Sequence, residues 1–197
     1  PLAGFLDDAP LSRVADKATL QPGQFYFDPS GQQFYLADDP TGRKVEVTAA
    51  VFAFASEAPG VLIKNIIVEK YANAAQSGAI QTGQAGGWVI DDSEVRFNSG
   101  VGIMMGANST VRDSNIHHNG QLGIGGWGPQ MLIENNQIWE NNSRGFSSKW
   151  EAGGVKIVRT NGSVMRGNHV YSNKSWGLWC DIDCINIIYE NNLVEHN

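Results

Sequence analysis

The chain has little of several things that would assign it to common classes. Only two cysteines, Cys180 and Cys184, occur in 197 residues. No disulfide framework therefore holds the fold, and we expect both to be buried thiols. Lysine and arginine total 14 against 20 acidic residues and form no cluster, which speaks against a nucleic-acid partner. The longest apolar stretch, 61–68, is interrupted by polar residues and is too short to span a membrane.

Glycine, by contrast, is abundant. The chain has 23 glycines, where average usage would give about 14. Proline, with 7 residues, is not raised. This combination predicts many tight turns without a disordered linker, and the length suits one sizeable core with a small appendage.

From residue 90 onward a single pattern recurs. An apolar residue is followed after three positions by Ser or Asn, after two more by Val or Ile, after three more by Asn, and after another four by Gly and an apolar residue. The copies begin at Ile90, Val111, Ile133, Met165 and Tyr189, and a degenerate copy extends the pattern back to about residue 61. Apolar runs of period 2 bounded by Gly and Asn predict a β-solenoid rather than a helical repeat. We therefore predict an all-β fold, a right-handed parallel β-helix over residues 49–197.

Two columns of residues are expected along the solenoid axis. One is an asparagine ladder of Asn98, Asn119, Asn141, Asn173 and Asn197. The other consists of glycines at a turn that needs a positive φ, namely Gly102, Gly123, Gly145 and Gly177. The asparagine intervals are 21, 22, 32 and 24, so one coil carries an insertion, which we place within 147–156. Insertions in solenoids often form the binding face.

Neither end of the chain completes the repeat. In residues 1–48, alternating runs at 24–27 and 33–36 flank the Asp28-Pro-Ser-Gly31 turn and predict a β-hairpin, and 44–48 predicts a third strand. We expect this small β appendage to cap the amino-terminal edge of the solenoid. Residues 193–197 stop inside a coil, so we expect truncation at the carboxyl end, with further coils or another chain on this edge.

The repeat over 61–197 resembles the pectate-lyase-like superfamily of right-handed parallel β-helix proteins. The preceding runs Pro22–Asp28, Phe34–Gly42 and Val45–Val47 resemble the β module that precedes the solenoid in many exported bacterial carbohydrate-active proteins. The resemblance implies a secreted protein acting on an extracellular polysaccharide as hydrolase, lyase or epimerase. It does not select one, because the superfamily also includes tailspikes, adhesins and proteins without known activity.

Acidic residues near the last glycine of the repeat are the catalytic candidates. If the apolar residue after each glycine points inward, Trp179, Asp181 and Asp183 point outward. The coil beneath then places Lys149 beside Asp181 and Glu151 beside Asp183, near the ~5 to 5.5 Å carboxyl separation of retaining glycosidases. So close a pair would also raise one pKa, as a general acid requires. The alternative is a solvated charged face with a Lys–Asp pair.

The same cluster allows two other chemistries. Its carboxylates could hold Ca²⁺, although no ligand loop of recognised spacing is present and no metal ligand is assigned. For a lyase, Lys149, Lys156 or His117 could remove the proton next to a uronate carboxylate.

Aromatic residues on the same face suggest an elongated sugar site. Trp127, Trp150 and Trp179 are the candidate sugar-stacking residues, with His117 as a further binding candidate. A second outward row, which could also bind glycan, contains Arg96, His117, Trp139, Tyr171 and Glu195. Period-2 counting places His118 inward unless the turn there breaks the alternation. The sequence thus predicts a polysaccharide-active β-helix, a hydrolase or lyase; the alternative is a non-catalytic glycan-binding or structural solenoid.

Overall fold

The computed structural model describes residues 2–197, and the chain divides into two compact units, Pro1–Ala49 and Ala50–Asn197. The described residues contain no α-helix, only the 3-10 turn Lys17–Thr19. Nothing in them forms a helix with the length and apolar character needed to cross a membrane.

The first unit is a five-stranded mixed sheet. Its strands are Gly4–Leu6, Ala9–Arg13, Gln24–Asp28, Gln33–Leu36 and Val45–Val47. The predicted hairpin is confirmed, because Gln24–Asp28 and Gln33–Leu36 pair antiparallel across the predicted turn. Phe25, which is buried, stacks on Phe34 with ring centroids 4.7 Å apart. Capping of the solenoid by this unit stays a prediction.

The second unit is a parallel β-solenoid in which each coil contributes one short strand to each of three six-stranded sheets. Sheet I contains Leu62–Lys64, Val89–Asp91, Thr110–Arg112, Leu132–Glu134, Val164–Arg166 and Ile188–Glu190. Sheet II contains Ile67–Glu69, Glu94–Arg96, Asn115–His117, Gln137–Trp139, His169–Tyr171 and Leu193–Glu195. Sheet III contains Phe54–Ala55, Gly78–Gln81, Val101–Met105, Leu122–Trp127, Gly153–Val158 and Trp176–Cys180. A two-stranded sheet joins Thr160–Asn161 to Cys184–Ile185.

The asparagine ladder is confirmed. Asn119 is fully buried, and its Nδ2 donates to Oδ1 of Asn141 at 3.0 Å while its Oδ1 accepts from Nδ2 of Asn98 at 2.9 Å. The ladder continues through Asn173 to Asn197. A second ladder follows the Ser/Asn position of the repeat: it runs through Asn136, Asn168 and Asn192, with Ser93 and Ser114 in the earlier coils. Each ladder satisfies the buried polar groups of one corner of the solenoid.

The glycine column exists, but the prediction that Gly145 belongs to it is wrong. The strand registers align Gly102, Gly123, Gly154 and Gly177. The expected reason is also wrong, because these four glycines do not have positive φ, whereas Gly145 does, at +69°. They are needed because the ladder passes close to them: a Cβ on Gly123 would lie 2.8 Å from Nδ2 of Asn141.

The insertion therefore lies earlier than predicted. Residues 153–156 belong to the sheet III strand Gly153–Val158, and the extra residues form the preceding loop, 143–152. The loop is tied down by backbone carbonyls: Nε1 of Trp176 donates to the carbonyl of Ser148 at 2.9 Å, and Nδ2 of Asn142 donates to that of Phe146 at 3.0 Å.

The two cysteines form a disulfide, so the expectation of buried thiols is wrong. Cys180 ends the last sheet III strand, Cys184 begins the next strand, and their Cα atoms are 6.2 Å apart. The bridge closes the turn 181–183. Ile182, which alternation places inward, is 52% exposed because the strand has already ended.

Candidate functional site

A groove of about 310 Å³ runs over the outer face of sheet III. The groove exists because Gly125, which has no side chain, interrupts one outward row of side chains. The row consists of Gln81, Met104, Gly125, Lys156 and Trp179. A Cβ on Gly125 would lie 2.8 Å from Cε of Met104, so glycine keeps the floor open. The residues that matter most to its chemistry are Trp127, Glu151 and Lys156, which also line it.

Lys156 is the centre of the charged cluster beside this groove. Its side chain is only 7% exposed. Nζ donates to the carbonyl of Trp150 at 3.0 Å and to Oε1 of Glu151 at 3.3 Å, and it forms an ion pair with Oδ2 of Asp181 at 3.0 Å. On a further side, Nζ lies 4.1 Å from the ring centroid of Trp179, within the range of a cation–π interaction.

The predicted pairing of acidic and basic residues is wrong in its register. Because Gly154 rather than Gly145 aligns with Gly177, Lys156 takes the position next to Trp179. Glu151 was predicted to lie beside Asp183, and Asp181 beside Lys149. Instead, Glu151 and Asp181 both form ion pairs with Lys156.

The other two predicted catalytic residues lie outside these ion pairs. Asp183 has φ +53° in the disulfide-closed turn, and its carbonyl accepts from the Thr160 amide at 3.2 Å. Lys149 is exposed in the insertion loop, where its amide donates to Oγ of Ser147 at 3.3 Å. Their catalytic roles therefore find no support in the geometry.

All three predicted tryptophans take part in the groove or in the Lys156 cluster. Trp127 lines the groove and is 43% exposed. Trp150, 44% exposed, contacts Lys156 through its backbone carbonyl, and Trp179 contacts it through its ring. Trp176, which the sequence analysis missed, is 53% exposed and its ring lies 5.7 Å from that of Trp179. Its position directly before a column glycine is the signal that could have identified it.

Within residues 2–197, the structure contains no group of three or more His, Cys, Asp or Glu side chains arranged to hold a metal ion. The suggested Ca²⁺ therefore gains no ligand set in this part of the chain. Glu151 and Asp181, its natural ligands, are both engaged by Lys156.

The second outward row is confirmed in register on sheet II. It contains Arg96, His117, Trp139, Tyr171 and Glu195. The ring of His117 stacks on that of Trp139 at 4.4 Å, and Trp139 stacks on Tyr171 at 5.9 Å with nearly parallel planes. The rings therefore cover one another along the axis, and His117, which is buried, offers no face for a sugar.

His117 of sheet II and His118, the residue after that strand, join two glutamates in a chain of hydrogen bonds. Nε2 of His117 lies 3.0 Å from Glu94, the Nδ1 atoms of His117 and His118 are 2.7 Å apart, and Nε2 of His118 lies 2.5 Å from Glu140. His118 points outward because its φ of +55° breaks the strand alternation. Burial lowers the pKa of both imidazoles, and it outweighs the raising effect of Glu94 on His117 and of Glu140 on His118.

Comparison with known proteins identifies the family to which this architecture belongs. Among solved structures, the chain is similar to the one described as the complex structure of XylC with xylose, with a TM-score of 0.76 and 16% identity, a likeness that shows the fold alone. The alignment covers 97% of this chain and 43% of that chain, so this chain spans less than half the length of XylC. A search of the curated proteins found no match. The sequence model of the right-handed β-helix region matches residues 52–197, and the chain belongs to the right-handed β-helix family.

Proposed function

We propose that this protein is a secreted carbohydrate-binding β-helix and that the sheet III groove is its glycan site. The observation that carries the proposal is the combination, in one groove, of the exposed indole of Trp127 with the carboxylate of Glu151, and beside it Asp181 on the same lysine. Flat indoles stack on sugar rings, and a few polar groups in a mostly apolar groove orient the ligand.

Two further observations support this proposal. XylC, a protein of similar fold, is described in complex with xylose. The Cys180–Cys184 disulfide suits an oxidising compartment, in which disulfides persist, and therefore supports export.

Glycoside hydrolysis is a second candidate, favoured by one specific contact. Glu151 and Asp181 both lie within 3.3 Å of the same Nζ atom, so a single ammonium group holds the two carboxylates close together. Paired carboxylates are the catalytic groups of most glycosidases. Elimination by a lyase has less support, because Lys156 is engaged by both carboxylates and is not positioned as a base.

Calorimetric titration with a panel of oligosaccharides, including xylo-oligosaccharides, tests the binding proposal. We expect at least one glycan to bind and Trp127→Ala to weaken its affinity about tenfold or more, because a stacking face is lost. Tyr189→Ala is the matched control, since Tyr189 is similarly exposed, at 46%, but lies on sheet I. Absence of binding to the whole panel, or equal losses in the two variants, would refute the groove as a glycan site.

Product analysis of the same panel tests hydrolysis separately. If Glu151 and Asp181 are catalytic, Glu151→Gln and Asp181→Asn each abolish release of reducing ends while oligosaccharide binding persists. Turnover that survives both substitutions would exclude these two carboxylates as the catalytic pair.

A further inference from the structure

We infer that the sugar unit seated over Gly125, beside Lys156, is uncharged, so that the groove selects neutral glycans and excludes uronates. This inference rests on the proposed glycan binding and names its substrate class. It follows from how the hydrogen-bonding capacity of Lys156 is used.

An ammonium group has three N–H donors. Lys156 uses its donors in hydrogen bonds to the carbonyl of Trp150 and to Glu151, and its ammonium group also forms an ion pair with Asp181 at 3.0 Å. The indole of Trp179 occupies a further side, and the side chain is 7% exposed. Lys156 therefore supports the site from within, and an entering ligand finds its ammonium group already surrounded by these partners.

The groups that remain for a ligand are acceptors. Each carboxylate has two oxygens with about four lone-pair sites, and Lys156 engages only one oxygen of Glu151 and one of Asp181. These side chains are 20% and 34% exposed, so their other oxygens can accept hydrogen bonds from sugar hydroxyls. Hydroxyl groups donate to such acceptors, whereas a carboxylate has nothing to donate.

The charge of the cluster has the same consequence. Two carboxylates surround one ammonium group, so the cluster is net negative, and a uronate placed there would meet like charge at short range in a partly desolvated site. Arg159 lines a separate hollow on the other side of Trp127, together with Gln84 and Gly128. Arg159 does not line the groove over Gly125.

Calorimetric titrations of the whole chain with neutral and acidic oligosaccharides of equal length test the inference. We expect xylo- or cello-oligosaccharides to bind at least tenfold more tightly than oligogalacturonates at pH 7 and low salt, with the difference shrinking as salt screens the repulsion. Equal or tighter binding of oligogalacturonates would overturn the inference while leaving the glycan site standing. Failure of every oligosaccharide to bind would instead refute the proposed function.

Charge-neutralising variants provide the decisive arm. Asp181→Asn keeps the shape of the side chain but removes one negative charge from the cluster around Lys156. We expect the ratio of the affinity for the neutral glycan to that for the acidic glycan to fall about tenfold. The double variant Asp181→Asn, Glu151→Gln should lower this ratio further. Asp113→Asn is the matched control, because Asp113 is an exposed aspartate in a turn between sheets I and II, and it should leave the ratio unchanged. If the double variant does not fold by circular dichroism, the single variant still decides. A ratio that Asp181→Asn and Asp113→Asn change equally would contradict the inference.

Discussion

Asn119 shows how much one residue contributes to this fold. Its carboxamide accepts from the backbone amide and Nδ2 of Asn98 and donates to the carbonyl of Val95 and to Asn141. Because all of these groups are buried, their loss leaves several polar atoms without partners, each at a cost of roughly 1–3 kcal/mol.

Asn119→Ala should therefore lower the free energy of unfolding by about 3 kcal/mol or more, measured by urea denaturation. Asn161→Ala is the control, since the side chain of Asn161 accepts one exposed hydrogen bond from Asn186 and its loss should cost well under 1 kcal/mol. Similar losses in the two variants would mean that the ladder does not stabilise the solenoid.

The glycine column makes a separate prediction about space. Gly123→Val would press a branched side chain against Asn141 and Ile138, where even a Cβ lies within 3.0 Å of both, and should destabilise by about 3 kcal/mol. Gly145→Ala meets open space at φ +69° and should cost only about 1 kcal/mol. Thermal unfolding of both variants measures the difference. A larger loss of stability in Gly145→Ala than in Gly123→Val would support the assignment of Gly145 to the column.

The sequence could not decide between Gly145 and Gly154. Both glycines precede an apolar residue, Phe146 or Val155, so both match the local pattern. The choice depends on which segment can stack beneath Gly177 while the other loops out, and stacking is a long-range property. Choosing Gly145 placed Ser147 beside Trp179, where Lys156 lies, and assigned to Lys149 the carboxylate of Asp181, which Lys156 engages.

At the scale of one element, one strand of sheet II ends in His117 and is followed by His118, and these two histidines should make the fold sensitive to acid. His117 and His118 have pKa values below the ordinary 6.5 because they are buried. In the unfolded chain they bind protons at about pH 6.5. Below that pH the unfolded state therefore binds more protons than the native state, so stability falls as the pH decreases.

We expect the free energy of unfolding to decrease between pH 7.5 and pH 5, and His118→Gln to reduce that decrease, because glutamine does not titrate. His196→Gln is the control, since His196 is 82% exposed and should leave the pH dependence unchanged. Urea denaturation at a series of pH values measures this. A stability that rises toward pH 5, or a His118→Gln variant with the wild-type slope, would contradict the assignment.

The alternation of side chains along the sequence predicted which residues point outward only where those residues lie inside a strand. Short-range alternation correctly placed Trp179 outward and Leu178 against the core, because both lie inside a strand. It failed at His118 and Ile182, because the first has a positive φ and the second follows the end of a strand. Counting by two applies only while the backbone stays extended.

For the whole molecule, the repeat alone predicted the parallel solenoid, because each coil buries its apolar residues only against its neighbours. The disulfide was missed for a physical reason: a spacing of four residues permits a bridge only when the chain turns back between the cysteines. That turn appears once Cys184–Ile185 pairs with Thr160–Asn161 of the preceding coil.

The disulfide should stabilise the solenoid without being required for its fold. For so short a loop, the chain-entropy argument gives about 2 kcal/mol. The double variant Cys180→Ser, Cys184→Ser should therefore unfold at lower urea concentration with an unchanged far-ultraviolet circular dichroism spectrum. Loss of the β spectrum in the native buffer would show that the bridge is essential to the fold.

A crystal structure of this chain with a xylo-oligosaccharide tests the central claim most directly. The account predicts a sugar ring in the sheet III groove, over Gly125 and against Trp127, with its hydroxyls donating to Glu151 and Asp181. A sugar bound instead along Trp139 and Tyr171 on sheet II, with the sheet III groove empty, would contradict it.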